Sequence, residues 1–296
     1  MTTLRVGTRG SDLALWQTRW VSDRLRAAHP DLRIEEIILK THGDIATEQR
    51  FDADWPVGGF VGAIEKALSD DRIDFAVHSY KDLQTAATAG LTIAAIPRRE
   101  VVHDVLVTRR AIRLSDVTDG FRLGTSSPRR SAQFRRIAKV EIVPIRGNVP
   151  TRVAKLEREK LDGVVLAAAG LKRLGIEPPN KIDLGTDRFL PAPAQGAIAI
   201  QTRVSGETAR LVAAIDDAFT RRAVIAERSF LKAINAGCQV PVAALARVTD
   251  GGVALRGQLF SDDGLRVAEG VEEGFDGEAV GVRLAHRLLT ELEVSP

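Results

Sequence analysis

The sequence predicts an α/β fold with two doubly wound lobes and a small α+β domain at its C-terminal end. Three observations support this prediction. Short β-branched runs alternate with amphipathic helical patterns as far as residue 215, which is typical of βαβ units. The alternation restarts near residue 102, so two similar halves are expected. Beyond residue 240 it gives way to period-2 segments, the pattern of half-buried strands.

The first lobe contains four predicted strands and two predicted helices. The strands cover residues 4–8, 34–39, 73–78 and 91–96, and the helices cover 11–29 and 60–68. Ser11 stands where the first helix begins and is expected to cap it, because serine accepts hydrogen bonds from the first free N–H groups of a helix. Pro30 ends that helix, since proline cannot continue it.

The second lobe repeats this order, with strands predicted at 102–107, 123–125, 141–144 and 163–167. One helix opens at Pro128 and another covers 151–160. Ser127 followed by Pro128 is a strong helix start, because serine caps the helix and proline fits its first position. Four prolines between residues 178 and 193 predict a loop region. Residues 197–201 then predict one more buried strand, which we expect to return to the first lobe.

The C-terminal part predicts the small α+β domain. A helix is expected over 219–235, strands over 240–247, 253–260 and 265–272, and a last helix over 278–292. This part is acidic, since residues 250–296 contain 10 acidic and 4 basic side chains, whereas the whole chain has a net charge of +3. The predicted domains are therefore 1–97 with 197–216, then 102–191, and finally 219–296.

Composition and missing motifs exclude several function classes. No apolar stretch reaches the roughly 18 residues of a membrane span, and the N-terminus does not resemble a signal peptide, so we expect a cytoplasmic protein that binds no membrane. Cys238 is the single cysteine, so it forms no intrachain disulfide. The motifs HExxH, CxxC, GxxxxGK and GxGxxG are absent, which leaves zinc hydrolysis, NTP hydrolysis and dinucleotide redox chemistry unsupported. The basic residues form no stripe with aromatic residues, so nucleic acid is not an expected partner.

Polar residues collect after the predicted strands, where doubly wound sheets bind ligands and helix N-termini present free N–H groups. Arginines outnumber lysines 33 to 9, and arginine matches carboxylates and phosphates bidentately. The residues at four strand ends are Arg9 and Ser11, then Lys81 and Asp82, then Ser127, Arg129 and Arg130, and finally Arg146 and Arg152. They predict a ligand with several carboxylates or phosphates. A solvated helix face is the alternative for Arg129 and Arg130.

Asp82 and Cys238 are the two candidates for chemistry. Asp82 is the only carboxylate directly after a strand in this cationic set, which favours an acid or a group that stabilises a cation. A surface pair with Lys81 is the alternative for this aspartate. Cys238 follows Gly237 on a predicted turn between a helix and a strand, and a buried, inert thiol is the alternative there.

Nine short motifs follow one another along nearly the whole chain. They are TRGS (8–11), LALWQ (13–17), KTHGD (40–44), VHSYKD (77–82), GTSSPRR (124–130), RGNV (146–149), AGLKRLG (169–175), PAQG (193–196) and GCQVP (237–241). In these motifs the sequence resembles the porphobilinogen deaminase family. The resemblance implies two lobes similar to those of periplasmic binding proteins, together with a small third domain.

The resemblance also implies a reaction and a cofactor. The reaction is a transfer in tetrapyrrole biosynthesis, in which four porphobilinogen molecules condense head to tail with loss of ammonia, and hydrolysis releases hydroxymethylbilane. The chain would grow on a dipyrromethane cofactor, attached to Cys238 through a thioether. Each pyrrole ring bears acetate and propionate groups, so the arginines would have carboxylate partners. The resemblance implies no metal and no nucleotide, and a monomer is expected.

The resemblance gives each candidate residue a role. Asp82 would accept hydrogen bonds from pyrrole N–H groups, stabilise positive charge and assist proton transfer. The cofactor would contact Asp82, Lys81, Thr125, Ser127, Arg129 and Arg130. The substrate would contact Arg9, Ser11, Arg146, Arg152, Arg173, Gln195 and Phe60.

The sequence departs from the usual family pattern at several positions. The stretch 54–60 contains no lysine, Tyr80 replaces a methionine, and Pro128 replaces a leucine. A divergent, slow member is therefore one alternative. A non-catalytic, two-lobed binding module for an organic polyanion is the other, and Cys238 argues against it, because such a module needs no thiol.

Overall fold

The computed structural model describes residues 2–39, 61–234 and 241–294. The chain divides into two compact units, one formed by Met1–Arg99 with Ala197–Arg221 and the other by Glu100–Gly196 with Arg222–Pro296. The second unit contains two separate sheets, so three sheets are present in the described part of the chain. The boundaries of the three predicted domains stay a prediction. Among the described helices, none is long and apolar enough to cross a bilayer.

The first unit is a five-stranded sheet with helices. Its strands are β1 (Thr2–Thr8), β2 (Leu32–Ile38), β3 (Phe75–Ser79), β4 (Leu91–Ala95) and β10 (Ile198–Arg203), in the order β2-β1-β3-β10-β4. Its helices are α1 (Asp12–Ala28), α2 (Gly62–Ser69) and α6 (Glu207–Ala213). Strand β1 pairs in parallel with β2 and β3, whereas β10 pairs antiparallel with β3 and β4. The expected return of this late strand to the first lobe is therefore confirmed.

The second unit begins with a sheet of the same design. Its strands are β5 (Asp104–Thr108), β6 (Arg122–Gly124), β7 (Glu141–Val143), β8 (Gly163–Ala167) and β9 (Lys181–Asp183), in the order β7-β6-β8-β5-β9. Its helices are α3 (Pro128–Arg135), α4 (Val149–Arg158) and α5 (Ala168–Leu174). Strand β6 is parallel to β7 and β8, and β5 is antiparallel to β8 and β9. The prediction of two similar halves is confirmed, because the fourth strand in the order of each sheet, β10 or β5, is antiparallel to both of its neighbours.

The C-terminal part is a three-stranded antiparallel sheet with helices. Its elements are α7 (Ala218–Ala233), β11 (Val242–Thr249), β12 (Gly252–Phe260), β13 (Val267–Gly274) and α8 (Gly277–Val294), and the strands lie in the order β11-β12-β13. The buried side chains of Phe230, Leu255 and Leu284 join the sheet to both helices. A Cβ at Gly281 would lie 2.6 Å from backbone atoms of α7. The two helices therefore approach too closely at this point for a residue with a side chain. The predicted α/β fold with a small α+β domain is confirmed.

The structure corrects several local expectations. Ser11 stands at the N-cap of α1, but its side chain accepts no capping hydrogen bond. The predicted loop region contains the short edge strand β9, and the helices α5 and α6 were not predicted. These elements have three to seven residues, which is too short for a clear periodic pattern.

Candidate active site

The first unit presents its candidate residues at one edge of its sheet. Arg9 and Ser11 follow β1, while Lys81 and Asp82 follow β3. Because β1 and β3 are parallel neighbours, their carboxyl ends meet at the same edge. The predicted clustering of these four residues is thus consistent with the strand order. Arg9, Ser11 and Lys81 are half-buried, and Asp82 is exposed.

Asp82 lies on a short turn that is held at both ends. Residues Tyr80–Asp82 form one turn of 3-10 helix directly after β3. The N–H of Tyr80 donates to the backbone oxygen of Ala197 over 3.0 Å, and the N–H of Leu83 donates to the oxygen of Tyr80 over 3.2 Å. Leu83 is buried against Val61 and Ala199. The exposed carboxylate therefore stands on a fixed segment of backbone.

Two buried polar residues of α1 hold the strand ends in place. Gln17 Nε2 donates to Ser79 Oγ over 2.9 Å, at the end of β3. Thr18 Oγ1 donates to Thr8 Oγ1 over 2.8 Å, at the end of β1. Polar groups buried on a helix usually have partners of this kind, because an unpaired one is costly. The helix thus fixes the two positions from which the candidate residues project.

The strand that leads into the Asp82 turn carries buried His78, which begins a row of polar side chains. His78 Nε2 donates to Gln201 Oε1 over 3.0 Å, and Gln201 Nε2 donates to Glu65 Oε1 over 2.8 Å. Burial lowers the pKa of His78 to about 4, although the hydrogen bond with Gln201 opposes the shift. The imidazole is therefore neutral at neutral pH.

The second unit contains a buried ionic cluster that we call the Asp104 cluster, formed by Asp104, Arg129 and Arg130. Arg129 Nη2 donates to Asp104 Oδ2 over 2.8 Å. Arg130 Nη2 donates to Asp104 Oδ1 over 2.7 Å, and its Nε donates to Oδ2 over 3.2 Å. Gln195 Nε2 donates to the same carboxylate over 2.9 Å. One aspartate thus organises three of the residues singled out by the sequence.

The Asp104 cluster contains more positive than negative charge. Asp104, Arg129 and Arg130 are 1%, 4% and 6% exposed as whole residues, and their side chains sum to a net charge of +1. Burial raises the pKa of Asp104, but Arg129 and Arg130 lower it further, so it lies well below its usual range. Burial and the neighbouring Arg130 both lower the pKa of Arg129. Because buried charge is costly without a counter-ion, the cluster favours the binding of an anion.

The turn between β6 and α3 supports the Asp104 cluster. Ser127 caps α3, and its Oγ accepts the backbone N–H of Arg130, as the sequence predicts. Buried Thr125 accepts the N–H of Ser127 at Oγ1 over 3.1 Å. Helix α3 therefore begins at a defined place and presents Arg129 and Arg130 in its first turn.

Arg146 lies on the neighbouring turn between β7 and α4, and Arg152 lies in the first turn of α4. Asn148 caps α4, since its Oδ1 accepts the N–H of Thr151 over 2.9 Å. Arg152 Nε donates to the backbone oxygen of Gly147 over 2.8 Å. Gly147 has a φ of 112°, which favours glycine. Arg146 is exposed beside this turn.

Arg173 and Gln195 are buried around a tight backbone segment. Arg173 Nη2 donates to the backbone oxygen of Gly196 over 2.8 Å, and burial lowers its pKa to about 10 against the opposing effect of Glu100. A Cβ at Gly196 would lie 2.5 Å from the backbone oxygen of Glu100, so glycine is required there. Gln195 Nε2 also donates to the oxygen of Val102 over 2.7 Å. Both residues fix the segment beside the Asp104 cluster.

The structure brings some of the predicted site residues together, and it adds Asp104 and Gln133, whose Oε1 accepts from Arg129 Nη1 over 3.1 Å. Arg129, Arg130 and Gln195 meet around Asp104. Thr125 and Ser127 hold the turn before α3, and Arg146, Arg152 and Arg173 occupy separate positions. Cys238 and Phe60 lie outside the described residues. Asp104 and Gln133 were missed, although an acidic residue that opens an otherwise apolar run, DVLV, is a signal for a buried ion pair.

Two family descriptions match this chain. Residues 4–210 match "Porphobilinogen deaminase, dipyromethane cofactor binding domain". Residues 221–290 match "Porphobilinogen deaminase, C-terminal domain". The chain belongs to the porphobilinogen deaminase family. This membership does not favour a non-catalytic binding module.

Related proteins cover almost the whole chain. A porphobilinogen deaminase of Moorella thermoacetica is 44% identical over 293 residues, which cover 98% of this chain and 94% of that protein. One of Roseiflexus sp. is 42% identical and covers 98% of this chain and 96% of that protein. Among solved structures, the methionine binding protein MetQ is 11% identical with a TM-score of 0.46, covering 74% of this chain and 92% of that one. A likeness at that score adds nothing to the strand order described above.

Proposed function

We propose that this chain performs the reaction of its family with the residues described above. It is a transferase that condenses four porphobilinogen molecules head to tail with loss of ammonia, and it releases hydroxymethylbilane by hydrolysis. The observation that carries the proposal is the buried, net positive Asp104 cluster in a chain of this family.

The Asp104 cluster fits a dipyrromethane cofactor, because such a group bears several carboxylates. Arg129 and Arg130 would each use donors not directed at Asp104, and Ser127, Thr125 and Lys81 would add further polar contacts. Cys238 would hold the cofactor through a thioether. When bound, this cofactor supplies the free pyrrole carbon to which new units are added.

Asp82 has the exposure and the rigidity that the chemistry requires. A carboxylate on a fixed turn can accept hydrogen bonds from pyrrole N–H groups and stabilise the positive charge that develops as ammonia leaves porphobilinogen. It can then assist removal of the proton from the ring carbon that has formed the new bond. No other described residue is assigned to these proton transfers.

The remaining site residues would bind the substrate. Arg9, Ser11, Arg146 and Arg152 would contact its acetate and propionate groups, and Phe60 would line the same space. Buried Arg173 and Gln195 would act by fixing the backbone at residues 194–196. We further propose a cytoplasmic protein, because a single cysteine fits a reducing compartment. A monomer is proposed with it, as the family resemblance implies.

Intact-mass measurement tests the cofactor. We expect the purified chain to exceed its sequence mass by one dipyrromethane, and we expect Cys238→Ser to match its bare mass. A wild-type chain at bare mass that also gives no colour with a pyrrole-reactive aldehyde would contradict the proposal.

Ammonia release tests Asp82. We expect Asp82→Asn to keep its fold but to release ammonia at least about 100-fold more slowly, because it loses the charged acid–base group. Asp31→Asn, another exposed aspartate of the first unit, is the matched control and should release ammonia at the normal rate. Equal rates in the two variants would remove Asp82 from the mechanism.

A further inference from the structure

A row of side-chain hydrogen bonds joins the Asp104 cluster to the C-terminal sheet. Arg129 Nη1 donates to Gln133 Oε1 over 3.1 Å. Gln133 Nε2 donates to Gln258 Oε1 over 3.2 Å, and Gln258 Nε2 donates to Glu269 Oε2 over 2.8 Å. Both glutamines are 3% exposed. We call these four residues the glutamine relay.

The charged ends of the glutamine relay fix the direction of every bond in it. Arg129 can only donate, so the oxygen of Gln133 must face it and the nitrogen of Gln133 must face Gln258. Hydrogen bonds from Arg256 and Gln258 lower the pKa of Glu269, although burial raises it, so this residue is an ionised acceptor. The nitrogen of Gln258 must therefore face Glu269. Neither amide can turn over without breaking two bonds.

The glutamine relay connects the C-terminal sheet with α3, two parts of the second unit whose relative position matters for the proposed reaction. Gln258 lies in β12, opposite Ala243 of β11. Strand β11 begins at Val242, four residues after Cys238. At its other end the relay reaches α3, which presents Arg129 and Arg130.

The backbone beside the relay reinforces the same connection. The oxygen of Leu190 accepts from Arg129 Nη1 over 2.7 Å and from Gln133 Nε2 over 2.9 Å. The next residue, Pro191, accepts the N–H of Ala244 in β11 over 3.0 Å. The guanidinium of Arg129 is therefore held on its outer side by groups that also contact the C-terminal sheet.

We propose that Gln258 is a positioning residue that acts through Gln133 on Arg129, so that the C-terminal sheet sets the orientation of this guanidinium in the Asp104 cluster. A glutamine pair that only filled space could be replaced by apolar side chains at little cost, because neither partner would then be left unpaired. A positioning pair could not be replaced in this way without changing how carboxylates are bound. The proposal rests on the proposed function, in which Arg129 holds a carboxylate of the cofactor.

The test follows attachment of the cofactor to apoprotein. The family resemblance implies that the cofactor is itself made from porphobilinogen. Apoprotein prepared without porphobilinogen is therefore mixed with porphobilinogen, and the covalent mass gain is followed over time by intact mass. We expect Gln258→Leu, and the double variant Gln133→Leu with Gln258→Leu, to load about 10-fold more slowly than wild type, since a 1 Å displacement of a positioning group costs up to about 100-fold. Urea unfolding of the same apoproteins reports stability separately, and loading that falls only in proportion to the folded fraction would overturn the proposal.

Two further variants give signatures that a structural role would not produce. Gln258→Glu keeps the shape of the side chain but places a carboxyl group against Glu269. The two carboxyl groups can share a proton at low pH and repel each other once that proton is lost. We therefore expect the loading rate of this variant, relative to wild type, to fall as pH rises. Arg256→Gln removes the ion pair on the exposed side of Glu269 and leaves the relay intact, so it should load like wild type. A Gln258→Glu pH profile parallel to that of wild type would overturn the proposal. A wild-type chain that gains no mass would overturn the proposed function, and this inference with it.

Discussion

Removal of the Asp104 carboxylate should strongly destabilise the second unit. Asp104→Asn keeps the size of the side chain, but it turns the net charge of the Asp104 cluster from +1 to +2 with every member at most 6% exposed. Three guanidinium hydrogen bonds of 2.7, 2.8 and 3.2 Å lose an ionised acceptor, and two arginines remain side by side. Loss of one partner from a buried ion pair costs about 3–5 kcal/mol, so we expect the free energy of unfolding to fall by about that amount.

The assay is urea unfolding of the apoprotein, followed by far-UV circular dichroism. Asp183→Asn is the matched control, because Asp183 lies opposite Val105 on the neighbouring strand and 67% of its side chain is exposed. A surface carboxylate of this kind contributes about 0–1 kcal/mol. Destabilisation of Asp104→Asn by no more than this control would refute the charge argument.

The same variant predicts a change in the pH dependence of stability. The folded pKa of Asp104 lies below its unfolded value, so its contribution is full above pH of about 4 and is lost as pH falls towards the folded pKa. The difference in unfolding free energy between wild type and Asp104→Asn should therefore shrink below pH of about 4. A difference that stays constant in acid would show that Asp104 is not ionised in the folded state.

Three further predictions concern other parts of the chain. The pKa of His78 is about 4 when folded and about 6.5 when unfolded, so stability should fall as pH drops from 6.5 to 4, and His78→Gln should flatten that part of the stability–pH curve. Gly281→Ala should cost about 1–3 kcal/mol by urea unfolding, because its Cβ meets backbone at 2.6 Å, whereas Gly251→Ala meets nothing within 4 Å and should change stability by less than about 0.5 kcal/mol. Asn148→Ala should lower the unfolding free energy by about 1 kcal/mol through loss of the α4 cap, and an unchanged midpoint would contradict the cap.

The periodicity of the sequence was sufficient to predict most strands and helices of the fold. Strand β8 occupies the predicted residues 163–167, because five consecutive apolar or glycine residues between turn signals fit a strand buried on both faces. The start of α3 was equally clear from Ser127 and Pro128, whose effects are local. Strand β9 was missed because three residues with exposed ends show no period, and its pairing with β5 is a tertiary contact.

The candidate site was only partly predictable for the same reason. The ends of strands are visible in the sequence, so Arg9, Asp82, Arg129 and Arg130 were predictable as site residues. Asp104 could not be assigned a partner, since its partners lie 25, 26 and 91 residues away along the chain. They meet only because β5 runs antiparallel beside β8, which places its first residue at the edge where α3 begins. Sheet order, and not local pattern, creates the cluster.

The many arginines of this chain have two different roles in the fold. The two roles differ in whether the positive charge of the arginine is matched by a nearby negative charge. Arg122 Nη1 donates to the backbone oxygens of Glu159 and Lys160 just beyond α4, and Arg203 Nη1 donates to that of Leu68 in the last turn of α2. Carbonyls at helix ends lack partners within the helix, and the several donors of one guanidinium satisfy them, so these arginines stabilise the lobes themselves. Arg129 and Arg130 differ, because they share a single buried carboxylate and leave positive charge uncompensated. An abundance of arginine therefore does not by itself indicate an anionic ligand, whereas a buried excess of guanidinium over carboxylate favours the binding of an anion.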